Sequence, residues 1–142
     1  MMDNHFRNFL NIYLEAWRAS SLTEIRDLIS KNYKGREITG GEILDFDFEE
    51  SILGWEQGFN FVKENNAQWN LKEISILPLR VDEMLVIISA SIILQGEELK
   101  TANLFFQTFE KGNSNDWKLI RSYIEAGIPI ENLGRMKSTK DI

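Results

Sequence analysis

Near Trp69 the apolar residues change their period from that of a helix to that of a strand, and this switch constrains the fold more than any other feature of the chain. Before it, Phe6, Phe9, Leu10, Tyr13, Leu14 and Trp17 recur at steps of three and four, which puts all six on one stripe of an amphipathic helix. Ser21 and Glu24 stand at capping-box spacing ahead of Leu22, Ile25, Leu28 and Ile29, predicting a short second helix that ends at Asn32 and Tyr33. Tyr33 to Ile38 reads as a short strand and Gly40-Gly41 as a turn. Asp47 and Glu50 form a second capping-box pair, followed by Phe48, Ile52, Trp55, Phe59 and Val62 at helical spacing, so a third helix runs to a stop at Asn65-Asn66. Gly54 and Gly58 lie inside it. Each costs about 1 kcal/mol relative to alanine, which makes close approach of another backbone or of a ligand the expected compensation.

From Trp69 onward the period is two, with turn residues at Arg80 to Glu83, Gly96 to Glu98 and Gly112 to Asn115, so four meandering strands are predicted. On the second of these, Met84, Val86, Ile88, Ala90, Ile92 and Leu94 form one apolar face. Leu85, Ile87, Ser89, Ser91 and Ile93 form the other, mixed face, and both faces are expected to be covered. On the last strand, Trp117, Leu119, Arg121, Tyr123 and Glu125 share a face by simple alternation, opposite Ile120, Ser122, Ile124 and Ala126. Periodicity does not say which of these faces is concave. The pattern describes one α+β domain over residues 1–142, with elements in the order α-α-β-α-β-β-β-β, a core over about 5–127 and an irregular tail over 128–142.

Composition removes several functions. Sixteen basic against twenty-two acidic residues leave a net charge of −6, and the basic residues Arg135, Lys137 and Lys140 are too sparse to offset it, so no nucleic-acid partner is expected. The absence of cysteine excludes disulfides, thiolate metal sites and cysteine nucleophiles, and fits a cytoplasmic setting. Asp3, Arg7 and Glu15 interrupt the N-terminal apolar residues, and Met84 to Leu94 is too short for a helical span, so neither a signal peptide nor membrane insertion is expected. His5 is the only histidine, which leaves no Ser-His pair or multi-histidine site. Asp45, Asp47, Glu49 and Glu50 lack the spacing of a calcium loop, and helix capping accounts for two of them. No phosphate loop or dinucleotide fingerprint is present, and no metal or cofactor is expected.

The segment Asp116-Trp117-Lys118-Leu119-Ile120, followed by Arg121-Ser122-Tyr123, resembles the final strand of the NTF2-like superfamily, whose element order the chain matches over about residues 5–127. That superfamily includes SnoaL-like polyketide cyclases and ketosteroid isomerases. The resemblance implies a cone: three helices held in a curved antiparallel sheet, with a pocket between the concave face and the helices. Lining candidates are then Tyr13, Trp17, Tyr33, Trp55 and Phe59, although aromatic residues at helical spacing also fit plain core packing. Arg121, Tyr123, Glu125 and Gln107 join them if the Trp117 face is concave, and an arginine there would favour a carboxylate or phosphate ligand. If that face is convex, they meet solvent or a second subunit. Many members carry histidines where Arg121 and Tyr123 stand here, a departure that weakens a direct transfer of chemistry.

Isomerases of the superfamily keep a carboxylate near the end of the first strand and a helix-one tyrosine as oxyanion donor, for which Glu37 and Tyr13 are the nearest matches. An exposed Glu37 on an edge strand is the competing expectation. The fold hosts enzymes, binders and association modules alike. The leading expectation is a domain that binds a small, partly apolar organic molecule and forms a homodimer through its sheet, because the strand at Met84 to Leu94 is apolar on both sides. The alternatives are an isomerase, cyclase or dehydratase, and an association module whose cone is filled by its own side chains.

Overall fold

The computed structural model describes residues 4–136, so Lys137 and Lys140 of the tail lie outside the described residues. Helix α1 (Asn4–Arg18) buries Phe6, Leu10, Tyr13, Leu14 and Trp17 and half-buries Phe9, so the predicted stripe is the face that meets the sheet. It is fastened to the far side of that sheet by Arg7, whose two terminal nitrogens donate to the two carboxylate oxygens of Glu73 at 2.8 and 2.7 Å. The paired hydrogen bonds hold Glu73 below the usual carboxylate range.

Helix α2 spans Leu22–Asp27, with the Ser21 hydroxyl accepting from the Glu24 backbone at 3.4 Å. It ends earlier than the sequence predicts. The Leu28 carbonyl accepts from the Leu119 backbone at 2.9 Å, and Ile29 pairs with Leu119. Leu28 and Ile29 satisfy the apolar count of a helix and of a strand equally well, and here the sheet claims the chain at Ile29. Strand β1 therefore runs Ile29–Thr39, turns through Gly40 and Gly41 at φ +56° and +83°, and returns as β2 (Glu42–Asp47). Left-handed backbone at both turn positions is the geometry for which Gly-Gly is suited. Strand β2 is absent from the predicted order because its short run Glu42-Ile-Leu-Asp-Phe-Asp reads as an acidic approach to the next helix. That helix, α3 (Phe48–Glu64), begins with the predicted capping box closed in both directions between Asp47 and Glu50.

Strands β3 (Gln68–Arg80), β4 (Glu83–Leu94), β6 (Thr101–Lys111) and β7 (Trp117–Pro129) form the meander, with a two-residue β5 (Glu97–Glu98) pairing back on β4. The sheet order is β2-β1-β7-β6-β4-β3, antiparallel except for β1 on β7, which is parallel. Glu37 therefore does not sit on an edge, since β2 covers β1. Residues 130–133 form one further turn, α4 (Ile130–Leu133), in the region expected to be irregular. No helix among the described residues is long and apolar enough to cross a membrane.

Register shifts interrupt the sheet at several points, and two of them are bulges within the strands of the meander that change which residues face inward. On β7, Thr108 pairs with Arg121 and Phe109 with Leu119, so Ile120 is an extra residue. Inward parity changes there: Trp117 and Leu119 are buried before the bulge, Ser122 and Ile124 after it. On β3, Glu73 pairs with Ile88 and Ser75 with Ile87, leaving Ile74 as the extra residue. The concave face then packs Met84, Val86, Ile88, Phe109, Trp117 and Leu119 against α1 in a continuous core.

Candidate functional site

The narrow end of the cone is solid. Phe6 meets Trp117 at 4.8 Å and Phe109 at 5.7 Å between ring centroids, both edge to face. At the wide end the helices and sheet diverge, and a cavity of about 550 Å³ opens between α3, the β1–β2 hairpin and the near halves of β4 and β6. Helix α3 contributes Ser51, Gly54, Trp55 and Gly58; the hairpin contributes Tyr33, Glu37, Leu44 and Phe46. A Cβ on Gly54 would meet nothing within 4 Å, whereas one on Gly58 would meet the Trp69 ring at 3.5 Å. Gly54 thus leaves open space at the cavity wall, and a side chain at Gly58 would rest in ordinary contact with an indole that forms another part of it. Gly35 behaves differently: a Cβ there would lie 2.4 Å from the Phe46 ring and 2.7 Å from the Tyr33 hydroxyl, so its bare backbone is what lets those two side chains lie across β1.

Four aromatic rings are locked at steep angles along the inner wall. Trp17 meets Trp55 at 4.8 Å and 89°, Phe105 at 5.0 Å and 82°, and Trp69 at 6.1 Å and 71°. The Trp69 indole donates to the Ser20 hydroxyl at 2.9 Å, which fixes its ring. A buried polar chain runs from behind this wall into the cavity lining at Gln107 and Tyr33. Tyr13 donates to Gln107 Oε1 at 2.8 Å, and Gln107 Nε2 donates to the Ser122 hydroxyl at 3.3 Å, which in turn bonds Tyr33. Burial keeps Tyr13 protonated well above its ordinary range. Burial likewise pushes Tyr33 up to about 12, with the nearby charge of Glu37 adding to the shift and the Ser122 bond opposing it. At the mouth, Glu37 accepts from the Thr39 hydroxyl at 2.6 Å, and Glu50 accepts from the Asp47 backbone as part of its cap.

No family model and no curated sequence matches the chain. Solved structures do. A domain of unknown function with a cystatin-like fold from Nostoc punctiforme aligns at TM-score 0.66 and 15% identity, covering 97% of this chain and 88% of that one. An NTF2-like protein of unknown function from Shewanella oneidensis aligns at 0.64 and 15%, covering 86% and 97%. Another from Pseudomonas putida aligns at 0.66 and 9%, covering 91% and 89%. The fold is NTF2-like. Identities this low speak to architecture alone, and function has to come from the side chains.

On this NTF2-like frame, Trp17, Tyr33, Trp55 and Gln107 of the expected lining residues border the cavity, and Glu37 borders it too. Tyr13 and Phe59 do not. Tyr13 lies behind Gln107 with its hydroxyl engaged, and Phe59 is buried against Trp55 and Trp69 as a support. Arg121 and Tyr123 are corrected more sharply: beyond the Ile120 bulge they project from the convex face with Glu125. There Arg121 reaches Glu83 at 2.8 Å, and Tyr123 donates to Glu125 at 2.6 Å. The group from that stretch that lines the cavity is Ile124. Sequence reasoning missed Phe46 and Leu44, because β2 was not recognised, and also Trp69 and Phe105. The last two were readable: each has the parity of its strand's buried face, and only their position at the wide end makes them wall rather than core.

Proposed function

We propose that this chain is a cytoplasmic binding protein of the NTF2-like fold that holds a small, partly apolar organic molecule in the open end of its cone. The observation that carries the reading is the hollow itself. Its volume, about 550 Å³, falls in the range of small-molecule sites, and Gly54 presents no side chain toward it. A cone filled by its own side chains would leave no such space. The polar chain behind the wall is already satisfied, so a ligand supplying mostly apolar surface leaves no buried partner broken. Gly54→Leu tests this by growing a side chain into the space. In a thermal-shift screen of small organic compounds, ligands that raise the melting temperature of the wild type should lose that effect in the variant, while the unliganded variant melts no lower. Compounds that stabilise both proteins equally would place binding elsewhere.

Self-association completes the proposal. The convex face carries Leu85, Ile87, Leu104 and Phe106 half-buried, with Tyr123 at 40% exposure packed on Phe106. Two of its charge pairs close within the face, Arg36 with Asp45 and Arg121 with Glu83, which lowers the like-charge repulsion a second copy of the same face would meet. Light scattering should return a dimer that Phe106→Glu converts to monomer; a monomeric wild type removes this part.

The catalytic alternative, an acid-base isomerase, cyclase or dehydratase of the SnoaL-like kind, is favoured by one observation: Glu37 and Tyr33 face the same cavity. That pairing puts Tyr33, rather than Tyr13, on the cavity wall beside the carboxylate. Glu37→Gln should then abolish turnover with the melting temperature nearly unchanged. Full retention of activity in that variant rejects it.

A further inference from the structure

The charge of the cavity lining says more about the ligand than its size does. Among the described residues, no Lys, Arg or His lines the cavity, while two carboxylates, Glu37 and Glu50, do. Each is held by a hydrogen bond that leaves its other oxygen unengaged: Glu37 uses Oε2 toward Thr39, and Glu50 uses Oε1 toward Asp47. The arginine that would have welcomed an anion, Arg121, is on the opposite face of the sheet, paired with Glu83. An anionic ligand would therefore enter a space with two like charges and no counter-charge. A neutral ligand would leave both carboxylates without a gain from binding.

Six aromatic residues also line the wall: Trp17, Tyr33, Phe46, Trp55, Trp69 and Phe105. Because Trp17 stands nearly perpendicular to both Trp55 and Phe105, the rings bound the hollow on more than one side rather than forming a single flat platform. Indole faces carry negative potential, and an array of them beside carboxylates is an environment that stabilises an organic cation stripped of its water.

Resting on the reading that the cavity binds a small molecule, we propose that its ligand is an organic cation: an amine or quaternary ammonium carried on an apolar body. The ammonium group sits among the indole faces within the field of Glu37 and Glu50.

Three probes of one shape separate the possibilities: benzyltrimethylammonium, its uncharged isostere neopentylbenzene, and the anion phenylmethanesulfonate. Three of the four tryptophans line the cavity, so quenching of intrinsic fluorescence reports occupancy. The cation should bind about tenfold more tightly than the isostere, and the sulfonate should not saturate. The double variant Glu37→Gln, Glu50→Gln should erase that preference while leaving the isostere's affinity unchanged. Glutamine keeps the capping box closed, and an unchanged melting temperature verifies that the variant folds. Equal or tighter binding of the isostere overturns the cation inference and leaves the binding-protein reading standing, as does a preference that survives the double variant. Silence from all three probes overturns both.

Discussion

The two ends of the cone are built from the same helices and the same sheet, yet one is solid and the other hollow. At the narrow end, large side chains from α1 meet large side chains from β6 and β7, and Phe6, Phe109 and Leu119 are wholly excluded from solvent. At the wide end, α3 sets Ser51, Gly54 and Gly58 among larger residues such as Trp55, and the aromatic residues there wall a space instead of filling it. The difference teaches that the hollow is a matter of which residues α3 presents. It is not a failure of packing, because the walls themselves are locked ring against ring.

The contrast can be broken most severely from the solid end. Phe109→Ala should destabilise the fold by about 3–5 kcal/mol in urea unfolding, since a fully buried ring is removed from a contact that cannot collapse. A loss under about 1 kcal/mol would mean that the narrow end is looser than described.

A second measurement uses the polar chain behind the wall. With the Tyr33 hydroxyl raised from 10 to about 12, the folded form binds its proton more tightly than the unfolded form. The associated stability is fully present below pH 10 and is lost as the pH rises toward 12, on the order of 2–3 kcal/mol in total. Of the three tyrosines, only Tyr123 is exposed, so phenolate absorbance should show one group titrating in the folded protein and the other two only together with loss of circular dichroism. Three phenols titrating with the fold intact would place Tyr13 and Tyr33 in solvent contact.

Glycine substitutions sharpen the comparison within the wide end. Gly35→Ala should cost about 1–3 kcal/mol, because its methyl group collides with the Phe46 ring and the Tyr33 hydroxyl. Gly54→Ala has the opposite sign and the smallest size: its methyl group meets nothing, and the helix gains about 0.5–1 kcal/mol. Equal effects at the two positions would show that the hollow at α3 is not where it is described.

Much of this architecture was legible because period and capping agree. The α1 stripe, the Asp47–Glu50 cap and the Gly40-Gly41 turn each point to one structure, and the structure has all three. What escaped did so for identifiable reasons. Leu28 and Ile29 suit a helix or a strand, and only a distant partner on β7 decides between them. Strand β2 is too short and too acidic to be seen without the hairpin that pairs it. Arg121 and Tyr123 were assigned by unbroken alternation, which a bulge defeats. Yet the adjacent aliphatic pair Leu119-Ile120 marks where the apolar parity changes, and Leu71 against Ile74 and Ile76 marks a similar change on β3.

The extra residue at Ile120 also bears on how such a gene can vary. Substitutions along the remainder of that strand change one side chain at a time. Loss of a single codon there would exchange inside for outside all the way to the strand's end, sending Tyr123 and Glu125 toward the helices and Ile124 into water. Lineages carrying this domain should therefore tolerate drift in letters far better than drift in length between Leu119 and Ser122.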